Sequence, residues 1–356
     1  MLTRADQPEH AGEIAELDHL FGVARPQHAE PFAAARPERK QLHVLKGKLT
    51  LRPMRTLRYL HLDVFTEQPL EGNQLAVFTD GAGVDAKVMQ RIAREMAFPE
   101  STFLLPKEDP TTDVRMRIFT PSRELPMAGH PTVGSTFALA HTGVIKPGQE
   151  RFVFGLGVGP TRVDLDWTGE RLAFAWMYQQ RPTFGDPIGD AGGLAAALGL
   201  EPSSMLSALP VQVVSCGLPF LMVPIATADA VDSAEVDAAR LKAVERALGL
   251  DGVGFFVFSP SVADGSASAH SRMFAPDFGM LEDPATGAAS GPLGCYLVHH
   301  GVVPEALAGK IVSNQGVRMG RPSQIHIAIG LDGKEIVEVK VGGKAVVLGE
   351  GTLSAA

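Results

Sequence analysis

The sequence predicts an α+β protein of two pseudo-symmetric halves, each with a curved or barrel-like, mostly antiparallel sheet around a central apolar helix. Three observations support this fold class. The same order of six elements occurs twice, one helix in each copy is free of charged side chains, and several short strand-like segments accompany each of these helices. The chain has 356 residues, 45% of them hydrophobic, which is enough for two domains of typical size.

The repeated unit runs strand, helix, strand, strand, turn and apolar helix. Residues 117–121 (RIFTP) match residues 272–276 (RMFAP) at an offset of 155, and Gly129 matches Gly287 at an offset of 158. The second turn therefore contains a three-residue insertion. A repeat of about 150 residues indicates two homologous domains, and a cleft between such copies is a favoured ligand site.

The predicted boundaries place the first domain at residues 54–170 and the second at residues 171–345. Residues 346–356 are expected to return to the first domain. Residues 1–53 form an extension that is rich in Arg, Glu, His, Ala and Pro and has no clear strand. Two interpretations of this extension stay open: a disordered or loosely helical tail, or a mis-assigned start with the true one at Met54.

The central helices are predicted at residues 132–141 and 288–299. Both consist of small and apolar residues, and their histidines lie only at the C-terminal ends. A helix that is apolar on every face has no side suited to water, so both helices are expected to be buried in the core. Their small residues allow the surrounding strands to approach closely.

The N-terminus of each buried helix is a candidate carboxylate site. AGHPTVG precedes the first helix and ATGAASG precedes the second, so glycines let a ligand approach the backbone at Gly129 and Gly287. Free N–H groups and a partial positive charge at such a terminus attract anions. If the motif occurred once, the simpler interpretation would be that its glycines serve only packing and turns. Because it occurs twice, a two-sided binding site is the favoured interpretation.

Three ionisable residues, two of them in these turns, are candidates for acid–base chemistry. His130, at a buried helix start, is expected to be neutral with a lowered pKa, although an isolated histidine is more often structural. Asp283 holds the matching place in the second copy, where an Asp-Pro sequence also suits a helix cap. Glu100 is flanked by Phe98 and Phe103, an apolar setting that would raise its pKa, although a loop glutamate is normally just solvated.

Composition narrows the partners to small molecules. The net charge is −8 and basic residues do not cluster with aromatics, which disfavours nucleic acid and anionic membrane surfaces. No segment approaches the roughly 20 apolar residues of a membrane span. The two cysteines, Cys216 and Cys295, are far apart in the chain and lack metal-ligand spacing, which fits a reducing cytoplasm.

Five ordered motifs carry a family resemblance: DVFTEQPLEGNQLAVF, IAREMAFPESTF, RIFTPSRELPMAGHPTVG, EDPATGAASGPLGCYL and GVRMGRPSQIHI. From residue 57 to 354 the chain resembles the phenazine-biosynthesis PhzF-like family, whose fold is similar to that of diaminopimelate epimerase. The resemblance implies two similar domains with the active site between them, and commonly a homodimer. It also implies proton transfer within a small cyclic carboxylate, as in isomerisation of trans-2,3-dihydro-3-hydroxyanthranilate, without a metal or an organic cofactor.

The resemblance also implies roles for individual residues. Glu100 maps to the glutamate that moves the proton, and His130 and Asp283 map to the histidine and aspartate of the other two motifs. The expected substrate-binding positions are Asn73, Gly129, Thr286, Gly287 and Ala288.

Two positions depart from the family pattern. Ala288 stands where the family has a serine, so a hydroxyl is missing, and Thr286 or Ser290 is the nearest replacement. Gln74 stands where the family has a proline. These changes leave a second functional class open, a non-catalytic small-molecule or protein-binding scaffold on the same fold. Related racemases use a cysteine at each helix start, and Ala128 and Pro284 at these places disfavour that chemistry.

Overall fold

A computed structural model describes residues 55–355 apart from 190–192, 251, 261, 263, 264, 266 and 277–279, and the side chain of Met280 is not described. The predicted extension, residues 1–53, lies outside the described residues. The described residues cluster into one compact unit.

The strands are β1 (Arg55–Val64), β2 (Asn73–Phe78), β3 (Glu100–Leu105), β4 (Val114–Phe119), β5 (Glu124–Leu125), β6 (Arg151–Leu156), β7 (Gly159–Thr168), β8 (Arg171–Gln179), β9 (Thr183–Ile188), β10 (Val211–Ser215), β11 (Pro219–Pro224), β12 (Gly254–Ser259), β13 (Ala269–Ala275), β14 (Met280–Asp283), β15 (Ile311–Gln315), β16 (Ser323–Asp332), β17 (Glu335–Gly343) and β18 (Ala345–Ala355). The α-helices are α1 (Ala86–Met96), α2 (Gly129–His141), α3 (Leu194–Ala197), α4 (Ala228–Asp232), α5 (Ala238–Ala247) and α6 (Gly287–His299). Short 3₁₀ helices occupy Pro202–Ser204, Glu305–Lys310 and Val317–Met319.

The first half wraps its strands around α2. Antiparallel pairs join β18 to β1, β1 to β2, β3 to β4, β6 to β7 and β7 to β8, whereas β2–β3 and β4–β6 are parallel. The parallel β2–β3 pair follows from the crossover through α1, which brings the chain back to the same end of the sheet. Helix α2 packs against β1, β2, β3, β8 and β18.

The second half repeats this plan around α6. Strands β11 and β12 are parallel on either side of α4 and α5, and β13 and β15 are parallel on either side of α6. The other pairs, β9–β10, β10–β11, β12–β13, β13–β14, β15–β16 and β16–β17, are antiparallel. The antiparallel β8–β17 pair joins the two halves. The predicted α+β fold with two similar halves, each around a central helix, is confirmed.

Both central helices have thirteen residues, and the first eleven of each are buried. They begin earlier than predicted, at Gly129 and Gly287, so that His130 lies in the first turn of α2 and not before it. Pro131 does not prevent this start because the first N–H groups of a helix have no helical acceptor to lose. Within the described part of the chain, no helix is long and apolar enough to cross a membrane.

The two helices meet start to start through glycine backbones. A Cβ atom added to Gly129 would lie 2.6 Å from the backbone nitrogen of Ala288 and 2.6 Å from Cα of Gly287. A Cβ atom added to Gly287 would lie 3.1 Å from Cα of Gly129 and 2.9 Å from Cζ of Phe65. Side chains larger than hydrogen therefore cannot occupy these positions without moving one helix away from the other.

Replacing Gly129 by alanine is expected to destabilise the protein by about 2 kcal/mol, because the new methyl group would meet backbone atoms that cannot rotate away. Gly309→Ala is the control, since a Cβ atom there meets open space. Its effect should stay within about 0.5 kcal/mol. Urea denaturation monitored by circular dichroism measures both changes, and equal midpoints for the two variants would refute the close approach of the helices.

Candidate active site

A small cavity lies at the meeting point of α2 and α6. Its volume is about 50 Å³. Seven of the eight predicted site residues line it: Glu100, Gly129, His130, Asp283, Thr286, Gly287 and Ala288. Glu100 begins β3, Asp283 ends β14, and the remaining five lie at or next to the two helix starts. The eighth predicted residue, Asn73, begins β2 beside the cavity and contacts its side chains.

Glu100 and His130 face each other inside the protein. Oε2 of Glu100 lies 3.2 Å from Nε2 of His130, and both side chains are buried. The two atoms are not aligned as a hydrogen bond, and neither has another hydrogen-bond partner among the described residues. Burial, and secondarily the charge of Asp283, raises the pKa of Glu100 well above its ordinary value.

His130 is held in its neutral form. Burial lowers its pKa to about 3, and a hydrogen bond to the backbone of Gln74 opposes this shift only in part. Its Nδ1 atom lies 3.1 Å from Nδ2 of Asn73. At neutral pH the imidazole therefore carries one proton, and it can donate or accept a hydrogen bond without bringing a full positive charge into the cavity.

Asn73 connects the two halves at the site. Its amide nitrogen lies 2.8 Å from Oδ1 of Asp283 and 2.9 Å from the carbonyl oxygen of Ala285, in addition to its approach to His130. Its Oδ1 atom is buried without a hydrogen-bond partner among the described residues. Substrate binding by Asn73 stays a prediction, and its contacts orient the side chains that line the cavity.

Asp283 is fixed by hydrogen bonds to both carboxylate oxygens. Asn73 donates to Oδ1, and the hydroxyl of Thr286 donates to Oδ2 over 2.5 Å. Burial raises the pKa of Asp283 to about 6, the charge of Glu282 adds to this rise, and the two hydrogen bonds oppose it. Asp283 thus anchors the start of α6 through the side chain of Thr286. It is not the helix cap that the Asp-Pro sequence also suits, because α6 is capped at Thr286 and without a side-chain hydrogen bond to the helix N–H groups.

Gln315 supports this anchor and was not predicted from the sequence. Its amide nitrogen donates to the carbonyl oxygen of Asp283 over 2.8 Å and to the hydroxyl of Thr286 over 3.0 Å. Its Oε1 atom accepts the backbone N–H of Thr286 over 3.0 Å. The available signal was a glutamine at an inward position of the alternating strand β15, where burial demands polar partners.

The remaining cavity wall is apolar and was also not predicted. The hydrophobic side chains that form it come from β5, the turn before α2, the loop before β11, and β11 and β13: Leu125, Met127, Leu218, Phe220 and Met273. They come from three separate segments of the chain, around residues 125–127, 218–220 and 273. Only the pairing of the strands brings them together.

Ala288 presents a methyl group to the cavity, and neither nearby hydroxyl replaces the missing serine. The hydroxyl of Thr286 donates to Asp283, and the hydroxyl of Ser290 donates to the carbonyl oxygen of Thr286 over 2.9 Å. Ser290 is fully buried and does not line the cavity. The second half of the site thus offers hydrocarbon at this position.

Cys216 and Cys295 lie outside the cavity wall, although the fold brings their sulfur atoms to 3.8 Å from each other. Both are free and buried. The hydrogen bond to Cys216, together with burial, raises the pKa of Cys295. The described residues contain no group of three or more His, Cys, Asp or Glu side chains arranged to hold a metal ion.

Comparison with known proteins places this fold and site in a family. Residues 62–351 match the model of the phenazine biosynthesis-like protein family, PhzC-PhzF. The chain belongs to the PhzF-like family. It is 35% identical over 297 residues to the trans-2,3-dihydro-3-hydroxyanthranilate isomerase of Pseudomonas fluorescens, a match that covers 83% of this chain and 98% of that protein.

Two further relatives support the same assignment. An uncharacterized isomerase of Mesorhizobium japonicum is 33% identical over 305 residues, covering 84% of this chain and 99% of the relative. The crystal structure of a PhzF-family protein of Bacillus anthracis superposes with a TM-score of 0.74 at 27% identity, covering 84% of this chain and 99% of that one. The predicted family, its fold and its class as an isomerase are thereby confirmed.

Replacing His130 by glutamine is expected to make the free energy of unfolding depend less on pH in the acidic range. Because the pKa of His130 is about 3 in the folded state and near 6.5 when unfolded, the unfolded state binds more protons between these values. His130 therefore lowers the free energy of unfolding as pH falls through this window, by at most about 1.4 kcal/mol per pH unit. The variant should lack this contribution.

The measurement is urea denaturation of both proteins at several pH values from 4 to 7. His141→Gln serves as the control because His141 is exposed at the far end of α2, and it should retain the pH dependence of the wild type. An unchanged slope in His130→Gln would contradict a buried neutral imidazole.

Proposed function

We propose that the chain is a cofactor-independent isomerase that moves a proton within a small cyclic or unsaturated carboxylate, with Glu100 as the general acid and base. The observation that carries this proposal is the buried carboxyl group of Glu100. It lies in a cavity between two helix starts, 3.2 Å from a neutral histidine, and has an unpartnered oxygen atom and a raised pKa.

The substrate carboxylate is bound by the N–H groups at the starts of α2 and α6, near Gly129 and Gly287. These groups have no acceptor within their own helices, and the partial positive charge of both termini favours an anion. Binding there places the carbon skeleton of the substrate in the cavity, within reach of Glu100. Holding the reacting carbon beside a fixed carboxyl group removes much of the entropic barrier.

Glu100 performs both proton transfers. Its ionised form takes a proton from an acidic C–H of the substrate, the electron pair moves through the adjacent double bond, and the protonated Glu100 returns the proton to another carbon. A pKa raised from the ordinary value makes the carboxylate a stronger base at neutral pH. The reaction uses and regenerates one carboxyl group, so it needs no other reactant.

His130 and Asp283 orient the substrate and control its charge. The neutral imidazole of His130 donates or accepts a hydrogen bond at the reacting region, and Asp283 keeps the start of α6 and the amide of Asn73 in place. Because these groups are buried, their electrostatic effect on the transition state exceeds that of similar groups in water.

The similarity to the Pseudomonas fluorescens enzyme makes trans-2,3-dihydro-3-hydroxyanthranilate the first compound to test. The family resemblance extends the proposal to a homodimer, and the two free cysteines extend it to a reducing cytoplasm. Ala288 and the apolar wall support a different preference among carboxylates, so the proposal concerns the class of reaction and not this particular compound.

Glu100→Gln is expected to lower turnover by about 10³-fold or more while the fold persists, because glutamine is similar in size and cannot exchange a proton. The measurement is proton NMR of substrate exchange with deuterated solvent, using trans-2,3-dihydro-3-hydroxyanthranilate and a panel of cyclic and unsaturated carboxylates. Glu95→Gln, at an exposed position of α1, is the matched control and should keep wild-type activity.

Retained turnover in Glu100→Gln would disprove the role of Glu100. The competing function, a binding scaffold on the same fold, is favoured by the missing hydroxyl at Ala288. It would be established if no compound of the panel exchanges protons and one of them nevertheless raises the melting temperature.

A further inference from the structure

The cavity offers its ligand few polar groups. Among the described side chains that line it, the buried atoms without a hydrogen-bond partner are Oε2 of Glu100 and Nε2 of His130. These two atoms face each other over 3.2 Å, so they form one polar spot at one side of the cavity. The reacting carbon and the proton in transit occupy this spot in the proposed mechanism.

The other polar side chains that line the cavity, Asp283 and Thr286, form hydrogen bonds within the protein. Asp283 accepts a hydrogen bond on each of its two oxygens, from Asn73 and Thr286. The hydroxyl of Thr286 also accepts from Gln315. Asp283 and Thr286 are only 4% and 6% exposed, so a hydroxyl or amino group of a substrate would reach their remaining acceptor sites only if these side chains moved.

Hydrocarbon forms the rest of the wall. Met127, Phe220 and Met273 are each at least 94% buried, and Leu125 and Leu218 are partly buried beside them. Ala288 completes this surface at the start of α6, directly across from Gly129. A polar substituent placed against these side chains loses its water without gaining a hydrogen bond.

We propose that the part of the substrate enclosed by this cavity is unsubstituted hydrocarbon. The preferred substrates are then unsaturated or cyclic carboxylic acids that lack amino and hydroxyl groups on the carbon skeleton next to Glu100. This inference rests on the proposed function for the orientation of the carboxylate toward the helix starts. It assigns specificity to Ala288 together with Met127, Phe220 and Met273.

The methionines reconcile this preference with the small volume of the cavity. About 50 Å³ holds only part of a six-membered ring, so a bound ring must displace side chains. Met127 and Met273 have unbranched, flexible side chains that change rotamer at low energetic cost and keep apolar contact with whatever fills the space. Expansion of the cavity by these residues therefore leaves it apolar.

Two inert aromatic acids test the preference without any turnover. Benzoate and 2-amino-3-hydroxybenzoate share the ring and the carboxylate and differ only in the two polar groups. Isothermal titration calorimetry of the full chain should give a Kd for benzoate that is about 10-fold lower or more, since an unpaired buried polar group costs at least this much. Equal affinities, tighter binding of the substituted acid, or no binding of benzoate at 10 mM would overturn the proposal.

Ala288→Ser should lower the ratio of the Kd of 2-amino-3-hydroxybenzoate to the Kd of benzoate by about 3-fold or more, because the new hydroxyl gives the polar groups of the substituted acid a partner. Ala306→Ser adds the same hydroxyl at an exposed position and should leave the ratio unchanged. An unchanged ratio in Ala288→Ser, with benzoate still bound, would contradict the role of Ala288.

Failure of this proposal is distinguishable from failure of the proposed function. The affinity ratio depends only on binding, whereas Glu100-dependent exchange with deuterated solvent depends on proton transfer. If substrate protons exchange but the affinity ratio differs from the expected one, the substrate class is wrong and the isomerase function stands. If the affinity ratio is as expected but no substrate exchanges protons, the apolar specificity stands and the chain is a binding protein.

Discussion

The contact between the starts of α2 and α6 is the constraint on which the rest of the site depends. Each terminus carries a partial positive charge of roughly half an elementary charge, so two of them in contact repel each other unless negative groups lie close by. Asp283 and Glu100 lie at this junction, and Asn73 and Thr286 hold Asp283 in place. The arrangement that fixes the two halves together therefore also creates an electropositive position suited to an anionic substrate.

The same junction explains why the acid–base groups are held in unfavourable surroundings. Burial lowers the pKa of His130 and, together with the charge of Asp283, raises the pKa of Glu100, and their facing atoms lack hydrogen-bond partners among the described residues. Such groups destabilise a fold by roughly 1–3 kcal/mol each. The apolar helices and the hydrophobic cluster that extends through both halves offset this cost and keep the two side chains within contact distance.

The sequence was informative wherever function depends on local chain geometry. The duplicated turn predicts that Gly129 and Gly287, and likewise His130 and Asp283, hold matching places in the two halves, and the apolar neighbours of Glu100 predict its raised pKa. Gln315, Phe220 and Met273 could not be found this way, because parallel and antiparallel pairing of distant strands decides which side chains face one cavity. The same reason applies to the cysteines, whose proximity is a property of the packed core and not of their spacing.

The pairing of β1 with β18 has a consequence for biosynthesis. Arg55 lies opposite Ala355, so the strand that opens the first half is completed by the strand that ends the chain. During synthesis one edge of β1 stays unpaired, because nearly 300 further residues are translated before β18 is complete. The second half has all of its strands before β18 is made, and the first half, although translated earlier, closes last.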